Sequence, residues 1–275
     1  MTRPPRVRAY LDAIVRGSGE EGLALVSVIV FGSVVTGGFS GAISDVDLIL
    51  VIPDGSRQED ALRLRDEVDR LEIAHGFRDA ADHPRGLEAF ARRITANVRS
   101  FFICTRSDLL SGDVARLLGI PRAQALFVDR VVMPSILGSA VTAWGEELLP
   151  RVPLLPIRRL DVLKAFFGIV NQVLLSAAMF PVVPSATRYA MAALKRSVHN
   201  CYFCYHLQPA SLDEEIGFFQ AHLGSSPTLV QLMTLRREPR RSFAFVVRCL
   251  PTLARLHFRT ATDNRFPRQP LTRAR

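Results

Sequence analysis

The chain has 275 residues, 48% of them hydrophobic, which suits one large domain or two ordinary ones and excludes wholesale disorder. Its net charge of +9 is confined to residues 236–275, where 11 arginines face only Glu238 and Asp263; residues 1–235 balance 24 bases against 24 acids. Four cysteines exclude a disulfide framework, and MTRPPRVRAY has no apolar signal core, so a cytoplasmic location is expected.

Residues 5–17 are predicted as a first helix, with Pro5 near its start. The β-branched run 23–31 is predicted as a strand and 44–52 as a second, ended by the turn Pro53-Asp54-Gly55. Residues 57–74 have apolar positions at helical spacing among many charges. A polar loop over 79–86 and a helix over 87–98 precede a short buried strand, SFFICT, at 100–105. Ser107 is the expected cap of a short helix holding Asp108 and Leu109. Pro150, Pro153 and Pro156 mark the expected domain boundary, giving domains 1–150 and 151–275. Beyond it the pattern is helical: 160–180, 186–207, 212–222, 227–237 and 242–260. In the first of these, Asp161, Lys164, Gly168, Asn171, Gln172 and Ser176 recur at spacings of three and four. That reads as one polar stripe on a helix central to a bundle. The run contains Asn171 and Gln172 and stops at Pro181, so no membrane span is expected.

One segment carries chemistry: VSVIVFGSVVTGGFSGAISDVDLILVIPDG. An apolar run ends in Gly32-Ser33, a glycine-rich loop follows, and a second apolar run opens with Asp45-Val46-Asp47. In a strand Asp45 and Asp47 share one face, their Cα atoms roughly 6–7 Å apart. Two carboxylates so placed suit Mg²⁺, and the loop offers amides and a hydroxyl to a phosphate. Phosphoryl or nucleotidyl transfer is the chemistry such a pairing suggests.

The spacing Phe31-Gly32-Ser33, eleven residues, Asp45-Val46-Asp47, then Leu48-Ile49-Leu50-Val51, resembles the nucleotidyltransferase superfamily that includes DNA polymerase β and kanamycin nucleotidyltransferase. Gly37 falls where many members carry a second glycine. The resemblance spans roughly residues 20–110. It implies an α+β fold: a polymerase β-like domain, with a mixed sheet and flanking helices, followed by a helical-bundle domain with a basic C-terminal tail. The active site would lie at one sheet edge. Gly32 and Ser33 would hold the triphosphate, and Asp45 and Asp47 would be catalytic carboxylates and Mg²⁺ ligands. The co-substrate would be an NTP, ATP being the expected one, and the acceptor a hydroxyl of a small molecule or protein.

The match is incomplete. Members usually carry a third carboxylate on a later strand, as metal ligand or general base. SFFICT has no acid, which leaves Glu72 and Asp108 as candidates. Val34 stands where many relatives have arginine. These departures admit a second reading, a nucleotide-binding or toxin–antitoxin-like partner without transfer. The basic tail admits a third, nucleic-acid end modification, which charge alone does not favour. Among other clusters, His199, Cys201, Cys204 and His206 cannot converge on one zinc from a single helix, since the histidines and cysteines lie on opposite faces. Thr187-Arg188-Tyr189 and Lys195-Arg196 lie on a helix that can face the nucleotide across the domain cleft. Trp144 is expected at the domain junction, with Glu146 and Glu147 beside it.

Overall fold

The computed structural model describes residues 4–37, 45–78, 100–118, 131–153 and 156–265. Four strands form one mixed sheet in the order β3-β2-β1-β4: β1 is Ser27–Phe31, β2 Asp47–Ile52, β3 Phe101–Thr105 and β4 Val141–Gly145. β1 runs antiparallel to β2 and β4, while β2 and β3 are parallel. In register, Phe31 lies opposite Asp47 and Ser27 opposite Val51. Parallel neighbours need a crossover. Helix α3, Gln58–Ala74, supplies its first described part, leaving the far end of β2 and returning along the sheet.

Both faces of the sheet are covered, which is why β1 and β2 read as continuous apolar runs. Even-numbered side chains of β1 and β2 (Val28, Val30, Leu48, Leu50, Ile52) pack under α1, Pro5–Glu20, through Val7, Tyr10, Leu11 and Ile14, and under α3 through Leu64 and Val68. Odd-numbered ones (Ile29, Phe31, Ile49, Val51) pack on the other face. Their partners are Leu117, Met133 and Leu137, with Leu148, Leu149 and Val152 around a 3₁₀ turn. Between these lie α2, Ser33–Thr36, α4, Arg106–Ser111, α5, Val114–Leu118, and α6, Val132–Ser139.

Among the described residues, every regular element after Arg158 is a helix: α7 Arg159–Met179, α8 Ala186–His206, α9 Leu212–Leu223, α10 Pro227–Arg237 and α11 Phe243–Thr262. α7, α8 and α11 pack on one another around Ile169, Val173, Leu194, Val198, Leu253 and Leu256. α8 also meets α6, where Gly138 lies against the Phe203 ring. His257 sits fully buried where the three helices meet. Its Nδ1 is 3.0 Å from the Val162 carbonyl, which can only accept, so Nδ1 carries the proton; Nε2, 3.0 Å from Ser197 Oγ, then accepts from that hydroxyl.

Several expectations change. β1 begins at Ser27 rather than Leu23, because Leu23 is still tied to the end of α1 by its N–H to the Ser18 carbonyl. Thr105, not Ser107, caps α4, its hydroxyl accepting from the Asp108 N–H. α6 and β4 were not anticipated. Within the polar stripe of α7, Gln172 and Ser176 are buried and donate to the Tyr189 and Ala186 carbonyls, while the apolar Leu160, Phe167 and Leu174 are exposed. The loop and helix expected over 79–98 lie outside the described residues.

Candidate active site

The turn after β1 brings Gly32 against β2. Gly32 has φ 69°, a left-handed conformation unfavourable for side chains, and an added Cβ would meet Asp47 Oδ2 at 2.4 Å. Glycine is therefore required twice over, by backbone conformation and by the carboxylate pressed against it. The carbonyl of Gly32 accepts from the N–H groups of Val35 and Thr36, each at 3.0 Å, which curls Ser33–Thr36 into one helical turn. The first amides of such a turn, those of Ser33 and Val34, have no partner within it. Val34 is buried in the core below β1, so the position where relatives carry arginine points away from any phosphate.

Asp47 opens β2 and is partly buried; Asp45 precedes the strand and is exposed. By alternation Asp47 lies on the same face as Ile49 and Val51, the face that looks toward α6 and α8. Burial pushes its carboxyl up to about 7; Lys195 on α8 opposes that rise, and the carboxylates of Asp45 and Glu72 add to it. The structure thus brings together Gly32, Ser33, Asp45 and Asp47 on the sheet side with Lys195 from the helical side. β2 is an inner strand, so the cluster sits at the end of the central strands rather than at a sheet edge.

The two candidates for a third carboxylate separate. Glu72, buried on α3, lies near enough to the pair to act on it: its charge raises the pKa of Asp47, and that of Asp45 raises its own. It accepts a hydrogen bond from Ser100 Oγ, and Arg78 Nη1 lies 3.9 Å from its other oxygen. Burial raises its pKa, the Ser100 bond lowers it, and Asp69 raises it again. Ser100 joins this group because its carbonyl accepts from the Leu48 N–H at 2.8 Å, beside Asp47. Asp108 is remote: Thr105 Oγ1 donates to it at 2.6 Å at the far end of β3. β2 and β3 are parallel, so this is roughly 17 Å from Asp47 along the strand direction.

No group of three or more His, Cys, Asp or Glu among the described residues could hold a metal ion. Mg²⁺ is ordinarily held by one or two carboxylates with substrate phosphates and water completing its shell. Asp45 and Asp47 beside the Gly32-Ser33 turn fit an ion that arrives with a nucleotide and do not fit a resident one. Cys201 and Cys204 are buried; His199 pairs with Glu215, and His206 stacks on Tyr202 with ring centroids 4.2 Å apart.

The class follows from the strand–turn–helix with its paired carboxylates on a mixed sheet. Residues 13–85 match the family model described as a nucleotidyltransferase domain. Among solved structures it is similar to spectinomycin adenyltransferase from Enterococcus faecialis, solved with ATP and spectinomycin. The TM-score is 0.53 and identity 11%, over 91% of this chain and 98% of that one, which shows a shared fold. No curated protein matches the sequence.

Proposed function

We propose that this chain is a Mg²⁺-dependent nucleotidyltransferase that moves a nucleoside monophosphate from an NTP, ATP first, to a hydroxyl of a small molecule. The observation that carries the reading is Gly32 folded against Asp47, which sets a phosphate-binding turn and a metal carboxylate side by side. The solved adenyltransferase, whose fold matches 91% of this chain, was crystallised with ATP and a small molecule, which supports that acceptor class over a protein side chain. In this reading residues 1–150 hold the nucleotide and 151–275 close over it.

The roles divide as follows. Ser33 and the first amides of α2 hold the β- and γ-phosphates. Asp45 and Asp47 hold the cation. Lys195 supplies from across the cleft the positive charge that Val34 does not. Bound Mg²⁺ neutralises phosphate charge and lowers the cost of the departing pyrophosphate. The residues themselves contribute positioning and a fixed field, worth several kcal/mol of barrier in such sites (about 3–4 kcal/mol for one well-aimed group). The test is to incubate the protein with Mg²⁺, NTPs labelled at the α-phosphorus and a panel of aminocyclitol and other polyol acceptors. Label should move to an acceptor with release of pyrophosphate, and Asp45→Ala and Asp47→Ala should each stop it. Undiminished pyrophosphate release by either variant rejects the reading.

One observation favours a second reading, nucleotide binding without transfer. β3 itself carries no acid, and Glu72, the acid near Asp47, is already engaged by Ser100 and faced by Arg78. Tight Mg-ATP binding with no transfer to any acceptor would select it.

A further inference from the structure

The helical half carries a second feature unrelated to the site. α7 is long and apolar enough to cross a membrane, with mean hydropathy 1.6, yet only 39% of that stretch is buried. Its apolar residues exceed what the core uses. The surplus is exposed along one line: Leu160 at 68%, Phe167 at 64% and Leu174 at 49%, each one heptad from the next. α11 extends the same surface. Phe258 lies beside Phe166, ring centroids 5.3 Å apart, at the start of α7, and Phe243 lies 5.1 Å from Phe180 just beyond its end. The two helices are therefore antiparallel neighbours, and exposed Phe243, Val247 and Phe258 line up alongside Leu174 and Phe167. From Phe258 to Phe243 the surface runs about 22 Å along the helix axis. α8 packs against both helices from behind and faces α6 and the sheet, so this surface looks away from Asp47.

Its charge has one sign. Lys164, Arg248, Arg255 and Arg259 are exposed on the two helices, and Arg241, over the Phe180 ring, lies at one end. The acids nearby are spent or distant. Asp161 is buried and accepts from the Arg158 N–H; Asp263 is paired with His222; Glu238 lies in the α10–α11 connection. A second copy of the chain would set these cations against one another. Ordinary protein interfaces are scarcely more apolar than the rest of a surface, which a helix of this hydropathy is not. Phenylalanine, leucine and valine in a band edged by arginine and lysine match the physics of a helix lying in a lipid headgroup region.

We propose that the outer face of α7 and α11 is a docking surface for an anionic lipid bilayer, with Leu160, Phe167, Leu174, Val247 and Phe258 entering the headgroup boundary and Lys164, Arg248, Arg255 and Arg259 meeting lipid phosphates. The helices lie on the membrane and do not cross it. This stands apart from the catalytic reading and survives its failure. The test is co-sedimentation of the full chain with vesicles of phosphatidylcholine alone or mixed with phosphatidylserine. The protein should pellet with the anionic vesicles at low salt and be released as salt rises. Arg248→Gln and Arg259→Gln should each weaken the partition about fivefold, and Phe167→Glu with Phe258→Glu should abolish it while the helical circular-dichroism signal and the melting transition persist. No binding to anionic vesicles, or binding that the phenylalanine double variant leaves intact, overturns the proposal. So does a stable dimer that the same variant dissociates, which would assign the face to a second copy.

Discussion

The sheet half and the helical half solve opposite problems. In the sheet half, function depends on short irregular pieces wedged between covered strands: one left-handed glycine, one helical turn, and carboxylates at a strand's first residue. In the helical half, long regular elements bury a large apolar core, and His257 at its centre is satisfied by Val162 and Ser197. The first half accepts an unfavourable arrangement, an acid pressed against a backbone and beside two other carboxylates. The second contributes mainly scaffold, with Lys195 as its one described link to Asp47.

The sharpest way to break this contrast is to remove the strained acid. Asp47→Asn should lower nucleotidyl transfer at least about a hundredfold while leaving the melting temperature unchanged or higher, because it relieves a charge held in a site that raises its pKa to about 7. A variant that loses activity together with stability would place Asp47 among structural residues. Gly32→Ala comes next. It forces a side chain into a left-handed backbone and into Asp47 Oδ2, so ATP binding by calorimetry should be lost at a stability cost of about 1–3 kcal/mol.

In the other half the same logic predicts pure stability effects. The buried His257 has its pKa lowered to about 4, by burial first, against 6.5 when unfolded. Neutral histidine is thus favoured in the folded state. The full contribution is present above pH 6.5 and is lost as pH falls from 6.5 toward 4, by about 3 kcal/mol in all. Urea midpoints at pH 7 and pH 5 should differ accordingly, and His257→Ala should flatten that dependence while lowering stability at neutral pH. Lys195→Met lies on the boundary between the halves. ATP affinity should fall about tenfold with little change in melting, measured by titration calorimetry and thermal denaturation. The smallest effect belongs to Ser211, whose hydroxyl and N–H share the capping box of α9 with Glu214; Ser211→Ala should cost about 1 kcal/mol and leave nucleotide binding alone.

What the sequence revealed follows the same divide. Gly32-Ser33 and Asp45-x-Asp47 are legible because turn, strand and spacing are local, and the helices after residue 159 because 3.6-residue periodicity is strong in them. β4 was not legible: Val141–Gly145 is five residues with no alternation, on the open edge of the sheet, and its place beside β1 comes from pairing across more than a hundred residues. α6 hid behind Pro134 and an apolar composition that suits strand or helix alike. The partners of Gln172 and Ser176 were not legible, because they are carbonyls in the first turn of α8, which no pattern within α7 reports. Lys195 was visible as a basic residue on a helix, but its position opposite Asp47 is a property of how the two halves close. The same holds for the third carboxylate: Glu72 is a candidate by residue type, and its nearness to Asp45 and Asp47 comes from how α3 packs against the sheet.

The central claim is that the turn at Gly32 and the acid at Asp47 form one nucleotide site. Titrating ATP into the protein with and without Mg²⁺, beside the Asp47→Ala variant, tests it most directly. The account predicts Mg²⁺-dependent binding to the native chain and none to the variant at the same concentrations. Binding that needs neither Mg²⁺ nor Asp47 would contradict it.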